Sequence, residues 1–362
     1  SHAPRNTESD PLLTDTFDHP WLGGLFHDAD ITAIWSPDQQ LKHLLTIEAA
    51  YTRALGSSGR TSPEAAAEIA DKIQSFTPDL ESLRLGTARD GVPIPDLVRQ
   101  LRTVIGDDAN AIHKGATSQD ILDTALSLTL RDVSTLLETR LATIQTALND
   151  LNTRFGSKEI MGRTRMQAAL PIPVAHRIQS WSAPLSRHAD RLAGLRSQTE
   201  RLQLAGPVGN LQTLGEQGEI IQKATAKSLG LALSPSSWHT TRDSVVDYAN
   251  CLVLISGSLG KMGQDICLMA QQGIDEITFS SGGTSSAMPH KNNPVLGELL
   301  VTLARFNATQ IAGMHHAMVH EQERSGAAWM LEWMILPQIT KATARSLSAA
   351  AELCKSITRV GL

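Results

Sequence analysis

The chain has 362 residues, 41% of them hydrophobic and 19% charged, so a large core and two or more folding regions fit within it. Its formal net charge is −5, and its Lys and Arg residues are dispersed among acids, which leaves no basic face for a nucleic-acid backbone. The three cysteines, Cys251, Cys267 and Cys354, share neither metal-ligand nor disulfide spacing and read as free thiols in a reducing compartment.

No run of about 18 apolar residues stands out as a membrane span. The polar start SHAPRNTESD lacks the apolar stretch of a signal peptide, so a cytoplasmic protein is expected. Aromatic residues make up only 4% while Ala and Leu recur, which favours helix over sheet. The expected fold class is all-α.

In chain order, SPDQQLKHLLTIEAAYTRALGSSG places Leu41, Leu44, Leu45, Ala49 and Leu55 at helical spacing before a Gly/Ser stop. TSPEAAAEIADKI starts a second helix, with Ser62 as cap and Pro63 in the first turn. Residues 1–112 thus read as a small helical N-terminal domain. From Gln119 to Phe155 there is neither Gly nor Pro, and an apolar stripe from Ile121 to Leu148 keeps the helical period, giving one rod of about 55 Å.

Segments 173–205, 242–272, 294–320 and 327–358 supply further rods, with Pro184 expected to kink or interrupt the first of them. Residues 113–362 therefore read as a long-helix bundle, its stripes buried between subunits. Trp329 and Trp333, four residues apart, read as core packing.

Three connections carry more polar chemistry than turns need. HKGATSQDILDTA offers His113, Lys114, Thr117, Ser118 and Asp120 at the mouth of the long rod, either as helix caps or as an anion seat. GRTRMQAALPIP, read as a loop, presents Arg163, Thr164, Arg165 and Gln167, either as a solvated face or as anion ligands. GGTSSAMPHKNNPV has the composition of a tether, yet Lys291, Asn293 and Glu298 follow it at fixed offsets.

The stretch Thr284-Ser285-Ser286-Ala287-Met288-Pro289-His290-Lys291-Asn292-Asn293, with Glu298, resembles the signature of the fumarase/aspartase superfamily. That signature is Gly-Ser-Ser-x-Met-Pro-x-Lys-x-Asn with a Glu five residues on, and it is matched in all but its first Gly. Thr117 to Asp120 fits the same family's Thr-Ser-x-Asp element, and the likeness runs from about residue 23 to the C-terminus. The superfamily's lyases carry His where this chain has Arg165, and Arg does not exchange protons near neutral pH.

GATSQDILDTA, LAGPVGNLQTLG, SSWHTTRDS and HEQERSGAAWMLEW are similar to the lactonising branch, which also lacks that His. This branch commonly reads Gln-Glu-His-Glu-Arg where His320 to Arg324 stand here.

The resemblance implies a long-helix tetrameric core followed, as is usual in the family, by a C-terminal helical domain, which is expected to be short or absent here. It implies a tricarboxylate diene, a carboxylated cis,cis-muconate, as small-molecule substrate, closed to a lactone with no metal or organic cofactor and no nucleic-acid or membrane partner. It assigns catalysis to Ser285 as general acid, with Lys291, Asn293 and His113. Substrate binding falls to Thr117, Ser118, Arg163, Arg165, Gln167, Arg242, Ser286, Met288 and Arg324.

Glu298 is a structural support, expected to face Arg165 across a subunit boundary in a homotetramer with shared sites. Two rival readings stay open: another superfamily lyase, acting on adenylosuccinate or argininosuccinate, and a catalytically retired structural homologue.

Overall fold

The computed structural model describes residues 15–280, 282–288 and 291–362; Pro289 and His290 of the signature stretch lie outside them. The chain opens with two short helices, α1 (Gly23–Phe26) and α2 (Ala29–Ile34), then α3 (Pro37–Ser57), α4 (Pro63–Gln74), α5 (Leu80–Asp90) and α6 (Ile94–Ile105). Ser36 and Ser62 cap α3 and α4, each accepting the third amide of its helix, with proline next in line.

The rod is α7 (Ser118–Phe155). It is followed by β1 (Glu159–Thr164), β2 (Gln167–Pro173), α8 (Val174–Thr199), α9 (Gly218–Leu229), α10 (Asp243–Met269), β3 (Ile277–Phe279), α11 (Val295–His316), α12 (Ala327–Ser356) and β4 (Ile357–Val360). The expected all-α class holds, with two small antiparallel pairs, β1–β2 and β3–β4, added at one end.

Two apolar cores divide the molecule. One is built from α3, α4, α6, α9 and the first turns of α7, including Leu45, Tyr51, Ile69, Leu97, Ile121, Leu128 and Ile221. The other fills the bundle of α7, α8, α10, α11 and α12, with Val133, Leu141, Trp181, Leu252, Leu300 and Leu347 among its members. Packing therefore crosses residue 112: α9, from the later part of the chain, completes the head's core, and α7 serves both.

Four sequence expectations need correction. Pro184 lies inside α8 without interrupting it. Its neighbours Trp181 and Leu185 are buried against the core, and burial of two large side chains offsets the roughly 3 kcal/mol that an internal proline costs. The segment drawn to residue 205 stops at Thr199, because the chain beyond it forms an isolated parallel bridge, with the Leu202 amide donating to the Ala232 carbonyl at 2.8 Å and the Ala232 amide to the Glu200 carbonyl at 3.0 Å.

Third, α10 is long and apolar enough, by length and composition, to cross a membrane. Tyr248, Leu252, Ile255, Leu259 and Ile266 nevertheless pack into the bundle core. Fourth, Trp329 is buried as expected but Trp333 is exposed, its ring meeting that of Trp329 edge-on at 4.9 Å.

Candidate functional site

The hydroxyl-rich start of α7 is tied down mostly by one carboxylate. Asp120 is fully buried and accepts the amides of Thr117, Ala205 and Gly206 at 3.0 Å each, while His239 Nε2 lies 2.8 Å from it. The Thr117 contact is the reach-back of a helix-start capping pair; the other three contacts fasten the 204–215 and 237–242 segments to the same point. His239 continues the chain, with Nδ1 3.0 Å from Ser237 Oγ. Gln119 donates to the His239 carbonyl at 2.9 Å and accepts from Arg324 at 2.5 Å, and Arg324 also donates to the Pro207 carbonyl. Thr117, Ser118, His113 and Arg324 thus gather at one end of the bundle.

Arg242 does not behave as a substrate ligand. It is 1% exposed, and its guanidinium donates to both Glu332 oxygens (3.0 and 2.7 Å), to Asp123 (2.8 Å) and to the Trp238 carbonyl (3.2 Å). Burial alone would depress its pKa, but the two carboxylates raise it, so the group stays charged. The expectation that Arg242 binds substrate is corrected on this ground: its donors are spent on internal carboxylates. In the sequence it stands at the mouth of the 242–272 rod, with nothing to show that Asp123 and Glu332 converge on it from α7 and α12. Beside it, both ring nitrogens of His320 are buried without a hydrogen-bond partner among the described residues. Burial, then the Arg242 charge, lowers the His320 pKa and keeps the ring neutral.

At the opposite end of α7, the stretch read as a loop is the hairpin β1–β2, with Thr164 paired to Gln167 and a bulge between Met161 and Arg163. Its two-residue turn is Arg165-Met166, with φ of 49° and 70°. Such turns favour Asn-Gly, so side chains there carry strain. The turn went unrecognised because neither residue signals one. Arg163 stands 3.9 Å from Glu276, which Arg177 also approaches, at 3.2 Å. With Arg165, His176 and Lys261 these groups line a cleft of about 680 Å³ that holds more cations than acids, a composition suited to an anion. Arg165 makes no ion pair with Glu298 within the chain, among the described residues.

The signature loop lies at this same end, reached from β3. Its neck is closed by Gly283 and Asn293, which exchange amides and carbonyls at 2.9 and 2.7 Å. A Cβ at 282 would fall 1.7 Å from Asn292 Oδ1 and one at 283 would fall 2.4 Å from Val295 Cγ2. The Gly-Gly pair that resembled a tether is therefore a close-packed neck. Beyond it, Ser285 Oγ accepts the amides of Ala287 and Met288, both at 3.3 Å. Ser286 and Met288 are exposed, Lys291 is half-buried with its amide bonded to the Met288 carbonyl at 3.0 Å, and Glu298 is exposed in the first turn of α11.

The chain thus carries two sets of chemistry. His113, Thr117, Ser118 and Arg324 stand at one end, while Arg163, Arg165, Gln167, Ser285, Lys291 and Asn293 stand at the other. The 38 residues of α7 place about 57 Å between the two. Residues that sequence reasoning did not single out include Glu48, His239, Asp123 and Glu332; a glutamate within the apolar face of α3 was the one signal that could have flagged Glu48.

A family model described as Lyase matches residues 26–313. The 3-carboxy-cis,cis-muconate cycloisomerase of Pseudomonas aeruginosa is 36% identical, over 92% of this chain and 74% of its own length. That of Acinetobacter baylyi is 34% identical, over 92% and 76%. Among solved structures, the 3-carboxy-cis,cis-muconate lactonizing enzyme of Pseudomonas putida superposes with a TM-score of 0.88 at 33% identity, covering 94% of this chain and 77% of that one.

Proposed function

The chain belongs to the lyase family, and from that premise we propose that it is a cycloisomerase interconverting 3-carboxy-cis,cis-muconate and 4-carboxymuconolactone. The observation that carries the reading is that relatives of this activity, from two organisms, match 92% of the chain. The second connection agrees with it: Arg165 stands where a proton-transferring His would serve a lyase.

In the lactonising direction, a carboxylate oxygen of the substrate forms a C–O bond to the diene. The π-electron pair moves toward the neighbouring carbon and its carboxylate, and a proton then closes that carbon. The nucleophile is already ionised and tethered, so proximity supplies much of the rate. What the protein adds is charge stabilisation for the enediolate-like intermediate and a proton donor. Ser285 is that donor, its hydroxyl oxygen held by two amides, with Lys291 and Asn293 beside the developing charge. Thr117, Ser118, Arg163, Arg165, Gln167 and Arg324 hold the three carboxylates.

Adding the protein to 3-carboxy-cis,cis-muconate is expected to abolish the diene absorbance. An inert mixture, or fumarate released from adenylosuccinate or argininosuccinate instead, would reject the reading.

The sites are shared among subunits of a homotetramer. Support comes from the length of α7, since a rod of about 57 Å keeps His113 and Ser285 from meeting in one chain. Mixing His113→Asn with Ser285→Ala chains, after joint dissociation and reassembly, is expected to recover activity that neither has alone. Mixed assemblies as inactive as their parents would rule out shared sites.

A further inference from the structure

Glu48 lies on the face of α3 that packs into the head's core, beside Leu44, Leu45, Ile47 and Tyr51, with 0% of its surface exposed. Its Oε1 is 2.6 Å from His113 Nδ1, while its Oε2 has no hydrogen-bond partner among the described residues. A buried carboxylate with half of its accepting capacity unmet is costly unless its partner can carry a positive charge. One turn on, the Tyr51 hydroxyl donates to the Lys114 carbonyl, so α3 holds this loop by both side chain and backbone. His113 itself has a left-handed backbone, φ 59°, a strained conformation for a side chain of this size that the surrounding contacts must maintain.

We propose that Glu48 is a positioning residue for the reaction, fixing the His113 ring through Nδ1 so that Nε2 is the nitrogen that meets the substrate. The proposal rests on the reading of His113 as a group of the active site. With Nδ1–H donating to Glu48, Nε2 has no hydrogen-bond partner among the described residues and the ring keeps 13% exposure. It can take or give a proton while the carboxylate stabilises the imidazolium. The Ser285 loop of another chain, in the shared site, is where such a proton would be passed.

The charged groups facing His113 are Glu48 from α3, Asp120 from α7 and Arg102 from α6. Burial would lower its pKa, and the charge and hydrogen bond of Glu48, helped by Asp120, reverse that to a net rise. In Glu48→Gln the burial and Arg102 remain while the main opposing charge is gone, so the His113 pKa falls. Any limb of the pH profile due to His113 then moves to lower pH, whether the ring acts as acid or base.

The test is the pH dependence of kcat and KM for Glu48→Gln, Glu48→Asp and His113→Asn, with ring-proton NMR titration of His113 in each variant that retains it. For Glu48→Gln, kcat is expected to fall roughly 10- to 100-fold, less than for loss of a proton-transfer group itself, with KM little changed. The His113 limb and the NMR titration are expected to move together to lower pH, and Glu48→Gln is expected to add little on the His113→Asn background. Glu48→Asp keeps the charge at shorter reach, is expected to retain more of the titration, and serves as the folded comparison if the glutamine variant unfolds.

A kcat loss with both the limb and the NMR titration unmoved would reduce Glu48 to a structural contact and overturn the proposal. A fully active His113→Asn would instead remove the reading beneath it, even with the NMR shift intact.

Discussion

Ser285→Ala is expected to lower kcat by about 10² to 10⁴-fold, the range for a lost general acid, while leaving the unfolding midpoint nearly where it is. An unassisted serine hydroxyl is too weak an acid for this step, so its environment decides the outcome. Two amide donors converge on Oγ at 3.3 Å, which favours the alkoxide left behind after proton transfer. These contacts are local to the loop. Its neck is held independently by Gly283 and Asn293, so removing one hydroxyl leaves the loop's anchorage intact. Steady-state kinetics beside thermal unfolding separates the two effects. A variant with near wild-type kcat would move proton delivery elsewhere, first of all to His113.

Arg242→Ala acts on stability instead. It leaves Asp123 and Glu332 buried without the cation that both contact, and breaking a buried ionic group from one side costs about 3–5 kcal/mol. Burial already raises the Glu332 carboxyl against the pull of Arg242, and without the guanidinium burial and the Asp123 charge push it further above its unfolded-chain pKa. Such a group contributes stability below the unfolded pKa and loses it as pH rises through the folded one. The deficit should therefore grow from acid toward neutral pH. Asp123→Asn on the same background should return part of it, because only one buried charge then remains. Urea unfolding across that pH range is the measurement; an unchanged midpoint at neutral pH would mean that the network contributes nothing.

Legibility in the sequence followed the range of the forces involved. The rod was readable almost to the residue, because its period and its freedom from Gly and Pro are local properties that packing only reinforces. The Arg165-Met166 turn was not, since its positive φ values are imposed by the strands on either side and not by the two residues themselves. The signature loop announced Ser285 through its motif, but the role of the preceding glycines became clear only once Asn292 and Val295 were seen to fill the space a side chain would need. Arg242 and Glu48 mark the other limit. Each is defined by partners 65 or more residues away, and spacing within a helix carries no record of what arrives from another one.

The rod α7 is also a spacer of fixed length and phase. Ile121, Ala125 and Leu128 belong to the head's core, and Val133, Leu137, Leu141, Ile144 and Leu148 to the bundle's, on one uninterrupted helix. A single residue inserted between the two groups would advance everything after it by about 1.5 Å and rotate it by about 100°. One core or the other would then face its polar side inward. Insertions of three or four residues nearly restore the rotation but displace the far core by about a turn, 5 Å. Variation in chain length is thereby steered away from α7 and toward the connections, whose length neither core fixes.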